Sequence, residues 1–84
     1  QEAMAQVDEL KPKDVNRFLR AVAQLVKLPK RRMWIDYDEE ADVLYLSFRK
    51  PQRATDSRMR DDGIIVHWRG SEIVGLTILD ASTR

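Results

Sequence analysis

Asp36, Asp38, Glu39, Glu40 and Asp42 are the densest set of chemistry-bearing side chains in the sequence. That many carboxylates could hold a hard cation, since calcium takes about six to eight oxygens. A calcium loop also needs a central glycine for its sharp turn, and none stands between Asp36 and Asp42. Short Asp side chains have another use in a turn. They accept backbone N–H groups of their own loop. The cluster therefore reads as a solvated turn, and no metal site is expected there.

His67 is the only histidine, and cysteine is absent. Zinc would want several such ligands. Ser47 and Ser71 lack the elbow motif of a hydrolase nucleophile. Glycine occurs only at 63, 70 and 75, which leaves no Gly-rich phosphate loop. His67 reads as a partly exposed sheet residue. No catalytic residue and no cofactor are expected, and the chain is not expected to be an enzyme.

Two basic groups offer a different chemistry. Lys30-Arg31-Arg32 stands just before Trp34, and Arg49-Lys50-Pro51-Gln52-Arg53 lies further on. Arg31, Arg32, Arg49 and Arg53 could track a phosphate backbone while the aromatic ring stacks on a base. The whole chain opposes this with a net charge of only +1. Its charges are blocky. Residues 1–32 carry eight basic and four acidic side chains, residues 33–48 five acidic and no basic, and residues 49–60 five basic and one acidic. Such blocks face each other or sit on opposite rims more often than they mark a ligand.

The elements that position these residues are legible in the pattern. Val15, Phe18, Leu19, Val22, Leu25 and Val26 mark one side of an amphipathic helix that starts at Pro12 and stops before Pro29. Phe18, Leu19, Val22 and Leu25 are expected to be buried. Weaker helical spacing runs through Ala3, Met4, Val7 and Leu10. Met33–Tyr37 and Asp42–Phe48 read as a hairpin around the loop 38–41, with Tyr37 opposite Asp42 and Ile35 opposite Leu44. Ile64–Trp68 and Ile73–Leu79 read as a second hairpin around Gly70. There a three-residue loop puts Val66 opposite Val74 and Ile64 opposite Leu76, which keeps His67 off the apolar face. The stretch 55–60 has the makings of an edge strand.

The expected fold is α+β: an antiparallel four-stranded β-meander, made of two consecutive hairpins, with an N-terminal amphipathic helix on one face. Eighty-four residues make one domain, with a helical segment at 1–29 and a sheet at 33–80. A chain this short buries only about 60 to 65% of its unfolded surface, and there are no disulfides to help. Association is the usual remedy. The second face of the sheet would carry Trp34, Val43, Tyr45, Ile65, Ile73 and Leu79, too apolar for a solvated face. These six are the candidate interface. No apolar run approaches the roughly 18 residues of a membrane span. A cytoplasmic location without a membrane partner is expected, and the lack of cysteine suits it. Gln1 rather than Met opens the sequence, which leaves room for residues before it.

Three ordered motifs, Asp36-Tyr37-Asp38-Glu39-Glu40-Ala41-Asp42-Val43-Leu44-Tyr45, Asp61-Asp62-Gly63-Ile64-Ile65-Val66 and Ile73-Val74-Gly75-Leu76-Thr77-Ile78-Leu79-Asp80-Ala81-Ser82, cover residues 33 to 82. This stretch resembles the prokaryotic family called domain of unknown function 2283. The resemblance implies a small single-domain protein without an established activity. It also implies an antitoxin-like role, because some members sit beside a small toxin-like gene. It defines no catalytic residues. The combined expectation is a non-enzymatic module that self-associates as a dimer or larger and binds a small partner protein. The alternative is a nucleic-acid-binding module that uses residues 30–32 and 49–53.

Overall fold

The computed structural model describes residues 9–84. The chain divides between Arg31 and Arg32 into two compact units. In the first, helix α1 spans Pro12–Val26. Pro12 takes the first helical position, where its missing N–H costs nothing. The Lys11 N–H donates to Asp14 Oδ2 at 2.9 Å, one arm of a capping box. At the other end the Leu28 N–H reaches the Leu25 carbonyl at 3.1 Å, and Pro29 follows.

The expected helix is present, but its expected burial is not. Phe18 and Leu19 are each 58% exposed. Val22 and Leu25 are half-buried, and α1 has no buried residue. Periodicity lines apolar side chains along one side of a helix; it does not supply a surface to cover them. The helical character expected at Ala3, Met4 and Val7 lies outside the described residues, and Leu10 is exposed ahead of α1.

The second unit holds an antiparallel sheet of five strands rather than four: β1 Trp34–Asp38, β2 Val43–Ser47, β3 Asp56–Met59, β4 Ile64–Arg69 and β5 Glu72–Leu79. A 3₁₀ turn, Ala81–Thr83, follows. The fifth strand is β3, inside the polar stretch 55–60. As an edge strand it needs one ladder and no apolar stripe, so its residues are all exposed.

The spatial order is β1-β2-β5-β4-β3, which corrects the expected meander. β2 pairs with β5, not with β4, so Leu44 meets Ile78 and Leu46 meets Leu76. Hydrophobic alternation assigns faces to strands but is silent on their order. The connection from β2 must then cross to the far edge, and residues 48–55 do this. The Gln52 amide donates from Nε2 to Ser47 Oγ at 2.9 Å and lies directly against Gly75. A Cβ at Gly75 would collide with that amide and stand 2.8 Å from the Leu46 carbonyl oxygen. Glycine is required here because two backbones and a crossing side chain converge.

Both hairpin registers differ from the expected ones. In the first, Ile35 faces Leu46 and Tyr37 faces Leu44, and the loop is Glu39–Asp42. Asp42 turns the chain with φ +56°, a left-handed conformation that Asp tolerates. In the second, Arg69 faces Glu72 around a two-residue Gly70-Ser71 turn, with Gly70 at φ +63°. A β-bulge past Trp68 then shifts the pairing, so that His67 faces Gly75 and Val66 faces Leu76. Each register lies two residues from the expected one over most of its length, and a two-residue slip returns every side chain to its face.

One face is therefore apolar, with Ile35, Leu44, Leu46, Val66, Leu76 and Ile78 in facing pairs. The other is mixed and carries Tyr45, Thr77, Gly75, His67 and Ser57. Ser47 and Gly75 belong to the mixed face, so the crossing segment runs over that side. Val43, Leu46, Val66 and Val74 are the buried apolar residues among those described, and Val74, in the bulge, has no exposed surface.

Candidate functional site

Asp42 is the best-connected polar residue in the acidic turn. Its Oδ1 accepts the Tyr37 hydroxyl at 2.6 Å and the Ser82 N–H at 3.0 Å. Its Oδ2 accepts the Ser82 hydroxyl at 2.8 Å, and its carbonyl accepts the Ala81 N–H at 3.0 Å. These donors, Tyr37 first, hold the Asp42 carboxyl below the usual carboxylate range. The same bond, with the nearby negative charge, raises Tyr37 above its usual value. Asp38 accepts the Ala41 N–H at 3.2 Å, as expected of a turn Asp. Asp42 does more: it ties the first turn to the segment that follows β5. Spacing within the turn gave no sign of this, because Ser82 is forty residues away.

A second network crosses the mixed face. Ser57 Oγ and His67 Nδ1 lie 2.7 Å apart, and His67 Nε2 lies 2.7 Å from Thr77 Oγ1. Ser57 and His67 are direct cross-strand partners on β3 and β4. Either imidazole tautomer completes the chain with one donor and one acceptor. The arrangement places a hydroxyl beside a base. It does not place a carboxylate on the far nitrogen to steady an imidazolium, as in a hydrolase triad. Thr77 is neutral and buried. The network works as a polar clamp over three strands, and it ties the edge strand β3 to β5 through β4. Ser57 and Thr77 carried no signal in the sequence, since their pairing depends on strand order.

Five of the six candidate interface residues share the mixed face, and Ile73 does not. Val43 is buried, while Trp34, Ile65 and Leu79 are half-buried on the mixed face. Tyr45 is exposed there. Ile73 faces Trp68 beyond the bulge, which moves it to the apolar face. That is a correction, and its cause is the single extra residue of the bulge. The crossing segment also covers Gly75, so part of the mixed face is occupied by the chain itself. The apolar face buries Leu46, Val66 and Val74 and leaves its margins exposed. Ile35 is 52% exposed and Tyr37 49% exposed, Ile73 is exposed, and Leu44, Ile64, Trp68, Leu76 and Ile78 are only half-buried.

Charge separates along the strands. The rim formed by residues 38–42, 60–63 and 80–84 carries seven acidic and two basic side chains. Arg32, Arg49, Lys50, Arg53 and Arg69 gather at the opposite rim with Asp56 and Glu72 as the acids. The blocks thus occupy opposite rims. Arg49 pairs with Glu72 at 3.8 Å, and Arg53 takes φ +50° while its carbonyl accepts Arg69 Nη1 at 3.2 Å. Arg31 falls in the other unit.

A family model described as "protein of unknown function (DUF2283)" matches residues 34–82. No curated protein and no solved structure gives a match. The matched stretch spans more than half of the chain and takes in the whole sheet. The chain belongs to the DUF2283 family.

Proposed function

We propose, with that membership as premise, that this member is a non-enzymatic binding module that self-associates through the apolar face of its sheet. The observation that carries the reading is the exposed apolar margin of that face, around the buried Leu46 and Val66. Ile35, Tyr37 and Ile73 are exposed, and their half-buried apolar neighbours continue the patch across the strands. Contiguous apolar surface of this kind marks an interaction site. A two-fold dimer places the same patch on both copies. A small partner protein, in the antitoxin-like sense, would compete for the same surface.

Sedimentation over a range of concentrations tests this. A dimer or larger is expected at micromolar concentration, and Ile35→Lys with Ile73→Lys is expected to give a folded monomer. A wild-type chain that stays monomeric throughout overturns the reading.

The basic rim supports a second reading, nucleic-acid binding. Here Arg32, Arg49 and Arg53 would contact phosphates, and each neutralised phosphate adds about 0.9 log unit of affinity lost per log unit of salt. Anisotropy with labelled duplex and single strands decides it. Submicromolar binding at physiological salt, lost in Arg49→Gln with Arg53→Gln, would put this reading first.

A further inference from the structure

Helix α1 carries features that the sheet does not explain. Phe18 and Leu19 are more than half exposed, and Val15 and Val26 are exposed on the same side. Residues 9–31 hold seven basic and two acidic side chains, a net charge of +5. At about 100° per residue, Lys13, Arg17, Arg20 and Lys27 project opposite the Val15–Val26 stripe. Asp14, the helix's own acid, is occupied at the N-terminus by the Lys11 N–H. No described helix is long and apolar enough to cross a membrane.

We infer that α1 is a surface anchor for anionic phospholipid bilayers, lying in the headgroup plane with its apolar stripe against the acyl boundary. A helix with a sharp apolar stripe, a Lys/Arg-rich opposite face and too little apolar length to span belongs to this physical class. Charge complementarity selects the occupant. Nucleic acid would satisfy the cations but leave Phe18 and Leu19 in water. A second copy's α1 would cover the stripe but leave the basic face of each copy without an anionic counterpart. An anionic bilayer meets both demands, since its negative surface potential draws basic segments within a Debye length. Self-association through the sheet uses other residues, so the two proposals stand or fall separately.

Flotation of the full chain with vesicles of phosphatidylcholine alone, and of phosphatidylcholine mixed equally with phosphatidylglycerol, tests it. The chain is expected to float with the mixed vesicles only, and to release as salt rises. Phe18→Glu is expected to abolish flotation, and Arg17→Gln with Arg20→Gln to weaken binding by about thirtyfold. Neither change should move the urea midpoint read by Trp34 and Trp68, because all three sites are exposed. No flotation with either vesicle, equal flotation with both, or flotation that survives Phe18→Glu overturns the proposal. So does flotation that is lost in Ile35→Lys but kept in Phe18→Glu.

Discussion

Helix α1 and strand β5 carry comparable apolar content and have opposite fates. α1 has the clearer periodicity and no buried residue. β5 interrupts its alternation with Gly75 and a bulge, yet it pairs on both sides and holds Val74, Gly75 and Thr77 out of water. Amphipathic spacing measures the capacity to be covered. Position in the topology decides whether covering happens. A strand between two others is enclosed by its own ladders; a helix needs a second surface to meet it.

The sharpest way to break this contrast is at Gly75. Gly75→Val is expected to cost about 3 kcal/mol or more, because the branched side chain must displace Gln52 and press on the Leu46 carbonyl. A urea midpoint close to wild type would show that the crossing segment lifts away freely. Next in size is Val74→Ala, expected to cost about 2 kcal/mol for lost methyls in a site with no exposed surface.

Asp42→Asn probes the tie between the first turn and the end of β5. The folded carboxyl titrates below its unfolded value, so its contribution is complete above that value and is lost as pH falls through the folded one. Wild type is therefore expected to denature at higher urea than the variant at neutral pH, with the gap closing below about pH 4. Tyr37 has the opposite sign: its folded value is raised, so its contribution holds below about pH 10 and fades at higher pH. A gap that stays constant into acid would mean that the bonds to Tyr37 and Ser82 do not depend on charge.

The smallest effect is expected on the helix. Leu19→Ala should move stability by about 0.5 kcal/mol or less, as for other exposed sites. A loss of about 2 kcal/mol, the usual cost for a buried leucine, would erase the contrast with Val74.

What the sequence disclosed follows the same division. Faces were legible, because apolar residues such as Ile35, Leu44, Leu46 and Val66 recur at every second position and a two-residue slip preserves that parity. The helix was legible at both ends through Pro12 and Pro29. Strand order was not, because β2 finds apolar partners as readily on β5 as on β4. Ile73 was misplaced because a bulge leaves no compositional trace. The Ser57–His67–Thr77 chain and the Asp42–Ser82 tie depend on which strands become neighbours, so no local spacing could announce them.

The strand order also sets a timetable. β5 is the last of the five strands to leave the ribosome, and it is the one that joins the others. Until it emerges, the β1–β2 and β3–β4 hairpins share no ladder, and each leaves an inner edge unpaired. Such edges are templates for wrong neighbours, and pairing that waits on distant chain is slow. A nascent chain halted before Glu72 would hold two sticky fragments rather than half a sheet.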